Sequence, residues 1–524
     1  MRFAIRRAAA AGLLALPLAA PAAAQDLELL SQPSRWRFSL ESVDNPEGRD
    51  IGMLGVHYDL LESDSFLPGL FFGLGGYGAV TGDEGGFLTG GFSLGMRHGI
   101  GAGLTGELGA FLGAGGGGGA PQGSGLMLRP WAAIEMPFAQ LPNAPLRLEL
   151  SHVTFPSGEL GGTTVALGWT VPSELLVGSS GPRGARHVPP GAVETRGFSF
   201  APLFARVRPG DGSRTLGGQV LGGTLEMGGV EVRSQGSNGL WTTIELWGAT
   251  GGGIGGFAAV LMGLGVSLPL IVDGLSWELE LLVGSGGGGD VDTGGGFLWK
   301  PAAGLRWDLG SGWAAQASVS RWDAPDGHFT ATGVEAGLAW QPQAIKLASA
   351  YDRERLAEER LAAELAREAS WRPTVLHKTY WPTSDAIPVS GGAHDAQIHL
   401  MGIGLSHAID DHVRVLGRAY GAYSGGAGGY AEGLIGFEAG IQPIRGAPDH
   451  RLSMTYEIGA GGGGGVDTGS ALIHQLTAAW TWNPAGNLHA DLGVGWMEPV
   501  GRGSFEAGVL QIGVGWDLGM PVAR

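Results

Sequence analysis

The sequence predicts an all-β chain that crosses a membrane as a closed antiparallel barrel. Three observations predict it: a motif series recurring three times, strand-length segments with period-two alternation, and a glycine content far above the ordinary. Glycine supplies 100 of 524 residues, against about 7% on average. Collagen-like period three is absent, and hydrophobic residues still make up 44%, so neither a triple helix nor low-complexity disorder fits.

The repeat has a period of about 170 residues, and internal periodicity of this kind sets the architecture. Gly-Gly-aromatic occurs at Gly85-Gly86-Phe87, Gly255-Gly256-Phe257 and Gly428-Gly429-Tyr430. A glycine run follows at Gly115 to Gly119, Gly286 to Gly289 and Gly461 to Gly465. Pro-Xaa-Gly follows at Pro156, Pro325 and Pro499, and then a tryptophan at Trp169, Trp340 and Trp516. Four series in one order with matching gaps mark three copies of one unit.

Each copy offers eight strand-like segments. In the first they lie near 35–45, 50–62, 68–80, 86–98, 102–115, 124–138, 145–156 and 163–171. Leu275, Trp277, Leu279, Leu281 and Val283 alternate with Ser276, Glu278, Glu280 and Gly284. Val165, Leu167, Trp169 and Val171 alternate with Thr164, Ala166, Gly168 and Thr170. Segments of about ten residues with period two are the pattern of transmembrane barrels. Three eights predict a single barrel of 24 strands, with a diameter of roughly 45–50 Å by strand-number scaling. Three tandem eight-stranded barrels are the alternative. The two differ in whether the first strand of a copy pairs with the eighth.

The segments divide the chain into a signal peptide at 1–24, repeats at 25–172, 196–342 and 371–520, a linker at 173–195, and a charged insertion at 343–370. Arg2, Arg6 and Arg7 precede an apolar stretch and Ala22-Ala23-Ala24, the layout of a secretory signal. Arg355/Glu359 and Arg360/Glu364 in the insertion sit four apart, which predicts a helix, periplasmic or lumenal. With no cysteine, disulfides and thiolate metal sites are excluded. Removal of the signal takes the formal charge from −17 to −20, which argues against nucleic acid.

If the mature N-terminus is periplasmic, Asn45-Pro46-Glu47-Gly48, the Gly-Gly-aromatic entries, the glycine runs and Pro-Xaa-Gly fall on odd-to-even connections and gather at the outer rim. Asp290, Asp292 and Asp467 lie in those loops and are candidates for oxygen coordination of calcium, with a polar turn as the simpler reading. Glu107, Glu278, Glu280 and Glu457 alternate away from lipid and predict an acidic lumen. Trp169, Trp340, Trp516, Trp307 and Trp482 sit near strand ends, where interface girdles want amphipathic rings. No metal and no cofactor is expected.

Gln511, Gly513, Trp516 and Leu518 in the last strand resemble the C-terminal targeting signal of bacterial outer-membrane β-barrel proteins. Six residues after Leu518 depart from that pattern. The resemblance implies the outer membrane of a Gram-negative bacterium, with lipid and the barrel assembly machinery as partners. Residues 344–370 are a candidate contact for a periplasmic or secretion-system partner. Ser151-His152-Val153-Thr154 is similar to the His-Xaa-Ser motif of outer-membrane lipid A deacylases, with Thr154 where serine belongs. Gly91-Phe92-Ser93-Leu94-Gly95 spells a nucleophile elbow, yet within a strand and not at a strand-to-helix turn. The expected function is a large outer-membrane channel for uptake or export, and no enzyme. The alternative is a surface-display or structural barrel whose outer loops bind a partner. A lipid-modifying enzyme stands third.

Overall fold

The computed structural model describes residues 30–63, 67–138, 141–177, 186–187, 193–236, 239–347, 366–390, 397–442, 449–485 and 487–523. The signal segment 1–24 and the helix expected within 348–365 lie outside the described residues.

The first repeat forms β1 (Leu30–Val43), β2 (Ile51–Ser63), β3 (Leu70–Thr81), β4 (Leu88–Gly101), β5 (Leu104–Gly116), β6 (Leu126–Phe138), β7 (Leu141–Thr154) and β8 (Gly161–Val177). A two-residue strand, β9 (Arg186–His187), follows. The second repeat forms β10 (Val193–Pro209), β11 (Leu225–Gln235), β12 (Leu240–Gly251), β13 (Ala258–Pro269), β14 (Leu275–Gly287), β15 (Phe297–Gly310), β16 (Trp313–Asp323) and β17 (Thr330–Trp340), then β18 (Gln343–Leu347). The third forms β19 (Ala366–Pro382), β20 (Ile398–Ala408), β21 (Val413–Ser424), β22 (Ala431–Ile441), β23 (His450–Gly462), β24 (Leu472–Ala485), β25 (Leu488–Pro499) and β26 (Ala507–Trp516), then β27 (Leu518–Ala523).

Closure decides between the two architectures. β1 pairs with β8 from Leu30↔Val177 to Leu40↔Leu167. β10 pairs with β17 from Phe200↔Trp340 to Pro209↔Ala331. β19 pairs with β26 from Thr374↔Gly515 to Pro382↔Ala507. Each repeat therefore closes on itself, and the single 24-stranded barrel gives way to three eight-stranded ones. An eight-stranded barrel is just wide enough for its side chains to fill.

The faces alternate as the pleat requires. Leu108, Phe204 and Leu264 point outward with 66%, 68% and 65% exposure. Lys300, Lys378, Glu457 and Gln475 point inward and are fully buried. Apolar outside and charged inside is the pattern of a barrel whose solvent is lipid. Leu108→Lys is expected to cost about 2–4 kcal/mol if that site sits at the bilayer midplane. Unfolding equilibria in detergent or bilayer would measure it, and an unchanged stability would show that the outer face meets water.

The insertion and the linker are in part strand. Val193–Gly197 of β10 pairs with Gln343–Leu347, and Ala366–Trp371 of β19 pairs with Leu518–Ala523. Ala344↔Val522 joins the two pairs. The ends of the expected helical segment at 343–370 are thus strands, because they prolong the barrel walls. The residues after Leu518, which depart from the targeting pattern, form β27.

Candidate functional site: charge-filled lumens and a glycine collar

The lumen of the first barrel is built from strands that alternate charge with apolar side chains. Arg147 and Glu149 share a face of β7, and Arg35 and Arg37 share one of β1. Arg147 reaches Glu107 at 2.7 Å, Glu135 at 3.2 Å and Glu149 at 2.6 Å. Arg35 reaches Glu107 at 2.7 Å and also pairs with Asp59. Arg129 holds Glu41 at 2.7 Å and Glu149 at 2.5 Å. Glu107 also accepts from Trp131 Nε1 at 2.9 Å. Buried charge is tolerated when it is paired and hydrogen-bonded in this way.

The other lumens use different chemistry on the same plan. In the second, Arg233 holds Glu231 at 3.1 Å and Glu278 at 2.7 Å. Lys300 holds Glu245 at 2.6 Å and Glu335 at 2.8 Å. In the third, Lys378 donates to Glu432 at 2.6 Å and Gln475 at 3.0 Å. Tyr380 and Tyr430 donate to Glu432 at 2.7 and 2.9 Å. Arg418 holds Glu457 at 2.9 Å. Glu107 lies in the first lumen, Glu278 and Glu280 share the second, and Glu457 lies in the third. The expected acidic lumen is largely neutralised by arginine and lysine, which the sequence reading did not single out. The same-face pair Arg147-Xaa-Glu149 was its available signal.

The landmarks share one rim, and they bring the barrels together there. Strand three of each barrel meets strand five of the next. A Cβ on Gly78 of β3 would lie 2.6 Å from Ser285 Cβ of β14. One on Gly248 of β12 would lie 2.6 Å from Ala460 Cβ of β23. One on Gly421 of β21 would lie 2.8 Å from Ala114 O of β5. Ser285 Oγ donates to Ala79 O at 2.6 Å, and Gly85 N donates to Gly294 O at 2.8 Å.

Six glycines complete the junction as a collar about a pseudo-threefold axis. Cβ atoms built on them meet the next backbone in turn: Gly86 at Gly288 N (2.3 Å), Gly288 at Gly256 O (2.5 Å), and Gly256 at Gly463 N (2.9 Å). The cycle continues with Gly463 at Gly429 O (2.4 Å), Gly429 at Gly117 N (3.1 Å), and Gly117 at Gly86 O (2.6 Å). Gly86, Gly256 and Gly429 have φ of +94°, +91° and +88°. Only glycine combines that conformation with so close an approach. The Gly-Gly-aromatic and glycine-run series are thus the interlock of neighbouring barrels as well as turns. Glu84 stands beside the collar, where Asn45 donates to it, and its burial raises its pKa above the usual carboxylate value.

The remaining expected site residues are placed as follows. Asp290 has φ +62°, and its carbonyl accepts from Leu216 N at 2.9 Å. Asp292 accepts from Gly294 N at 3.1 Å and lies 2.6 Å from His328 Nδ1. Asp467 accepts from Gly469 N at 3.1 Å and from Ser504 Oγ at 2.9 Å. These contacts tie the loops together as turns. Trp169, Trp307 and Trp482 are exposed on the outer faces. Trp340 instead lies tilted against Trp371 of the third barrel, centroids 6.4 Å apart, and Trp516 lies 6.0 Å from Phe72 of the first. Gln511 is buried in the third lumen, where Tyr420 donates to it at 3.0 Å. Gly513 lies on the same strand, and Leu518 is buried at the start of β27. His152 points outward, its Nδ1 3.0 Å from Thr163 Oγ1. Ser93 is buried within β4, 3.4 Å from His57 Nδ1.

No family model matches the chain, and no curated relative matches it. The solved structures it is similar to include bacterial outer-membrane β-barrels. The NanC porin is 9% identical, with 60% of this chain and 98% of that one covered, at a TM-score of 0.16. OpdQ of Pseudomonas aeruginosa is 10% identical over 94% and 98%, at 0.22. A mutant of the ferric enterobactin receptor PfeA of the same organism is 10% identical over 93% and 80%, at 0.28. At these scores the likenesses carry no argument of their own. The general class is that of outer-membrane β-barrel proteins, and it rests on closed antiparallel barrels with apolar outer faces and charged interiors.

Proposed function

We propose that the chain is an integral outer-membrane protein of a Gram-negative bacterium that works as a three-barrel platform. Its landmark-rim loops face outward and bind a partner, and its lumens do not conduct. One observation carries this reading: each lumen closes at eight strands and is occupied by ion pairs. The barrel assembly machinery recognises the last strand, and residues 344–370 offer a periplasmic contact. No catalytic step is assigned to His152 or Ser93.

A channel for uptake or export is the second reading, and one observation favours it. Gly90 and Gly433, four residues past the collar glycines Gly86 and Gly429, have exposed outer faces with no heavy atom within 4 Å of a built Cβ. Open space therefore adjoins the strands below the collar, between barrels and not inside them. Planar-bilayer recording of the purified chain separates the two. The platform reading expects no steady conductance. A steady conductance that falls when Gly90→Cys or Gly433→Cys is modified by a thiol reagent would establish the inter-barrel channel, and the native chain has no cysteine to confuse the result.

A further inference from the structure

We infer that the second barrel holds a hard divalent cation, calcium or magnesium in class, between Glu231, Glu245 and Glu280. One carboxylate oxygen from each lies within 4.8 Å of the others. Strands β11, β12 and β14 supply them, with β13 between the last two, and Glu231 pairs directly across from Glu245. The three line a small cavity together with Arg233, Glu278, Gln316 and Glu335.

Two independent observations point to a ligand there. The first is an orphaned oxygen. Glu231 is 2% exposed, and its Oε1 has no hydrogen-bond partner, while its Oε2 accepts from Arg233 at 3.1 Å and Gln316 at 3.3 Å. A buried carboxylate oxygen without a donor is costly unless something positive meets it. The second is the charge count of this lumen. Five carboxylates, Glu231, Glu245, Glu278, Glu280 and Glu335, face three cations, Arg233, Lys300 and Arg306. Arg233 and Lys300 are engaged by Glu231, Glu278, Glu245 and Glu335, and Arg306 donates to Gln316 at 2.6 Å. Glu280 has only Trp241 Nε1, at 3.4 Å, among its described partners. With every one of these groups ionised, the excess is two negative charges, the complement of one divalent ion.

The donor set selects the metal class. All three donors are carboxylates, with neither imidazole nor thiolate in the group. Oxygen-only sites suit calcium and magnesium over zinc or copper. Glu280 is the least buried of the three, so an ion arriving through the lumen reaches it first. The assignment does not depend on the platform reading, since a bound ion would brace this barrel whether or not the molecule conducts.

Terbium is the probe, because it substitutes for calcium and emits when a neighbouring tryptophan is excited. Trp241 and Trp247 hydrogen-bond Glu280 and Glu245, the latter at 2.6 Å. The purified full chain should show saturable tryptophan-sensitised terbium emission that calcium displaces. Glu280→Gln should abolish it, and Glu231→Gln should do the same, while Glu84→Gln outside the barrel should leave it intact. Heat-resistant migration of each variant in detergent gels confirms that the barrels are folded. No sensitised emission from the folded native chain, or equal emission from folded Glu280→Gln, overturns the assignment and leaves the carboxylates holding protons. Conductance is read separately, so either conclusion can fail without the other.

Discussion

Gly86→Val is expected to release the first barrel from the other two without unfolding it. A protease site introduced within residues 178–185 makes the effect readable. After cleavage, the first barrel of the native sequence should still co-purify with the rest, held by strand and collar contacts. In Gly86→Val it should separate. Two costs add. Valine at φ +94° is strained by about 1–3 kcal/mol, and its Cβ would sit 2.3 Å from Gly288 N and 2.4 Å from Gly287 C. Those are backbone atoms at the end of β14, so they cannot swing aside as a long side chain would. Gly99→Ala is the control: nothing lies within 4 Å of its Cβ, and association should be unchanged. Release of the native first barrel on cleavage alone would show that the collar does not hold the molecule together.

Arg147→Met should be the most destabilising single change within a barrel. The guanidinium serves Glu107, Glu135 and Glu149 with its side chain 1% exposed. Removing it leaves Glu107 and Glu135 to share Arg35, and Glu149 to Arg129, with less cationic charge than carboxylate in a closed space. Breaking a buried pair from one side costs about 3–5 kcal/mol, because the partner keeps its desolvation penalty. By contrast Arg49→Met removes an exposed pair with Asp83 and should cost no more than about 1 kcal/mol. Denaturant unfolding followed by gel mobility checks both. Glu107→Gln added to Arg147→Met should restore part of the loss. Equal stabilities for Arg147→Met and Arg49→Met would mean that water fills the first lumen and the ion pairs do little.

Much of the local structure was legible from periodicity. The alternation of Leu275, Trp277, Leu279, Leu281 and Val283 against Ser276, Glu278, Glu280 and Gly284 is the inside-outside division that the structure displays. Strand limits in the first repeat agree within three residues, except that β1 and β7 begin five and four residues earlier and β8 runs six residues further. Closure was not legible, because a strand reads the same in a wide barrel as in a narrow one. What distinguishes them is whether Phe38 faces Trp169 across β1 and β8, a contact between residues far apart in the chain. The density of inward charge carried a clue. A wide wet lumen has no need to match Glu107 and Glu149 with Arg147, whereas a dry narrow one does. The collar was hidden for a related reason. Gly86 and Gly288 look like turn residues in sequence, and their meeting depends on the packing of two separately closed units.

The pseudo-threefold ring has a consequence for how the three copies can change. A ring assembled from identical separate subunits must use one sequence for every lumen. Here a single chain fixes both the number and the order of the barrels, so each lumen is free to follow its own course. The first is an arginine–carboxylate lattice around Arg147, the second turns on Lys300, and the third on Lys378 with Tyr380 and Tyr430. Covalent fusion has made a symmetric shell out of parts that no longer need to be alike, and specialisation of one barrel leaves the fit of the other two untouched.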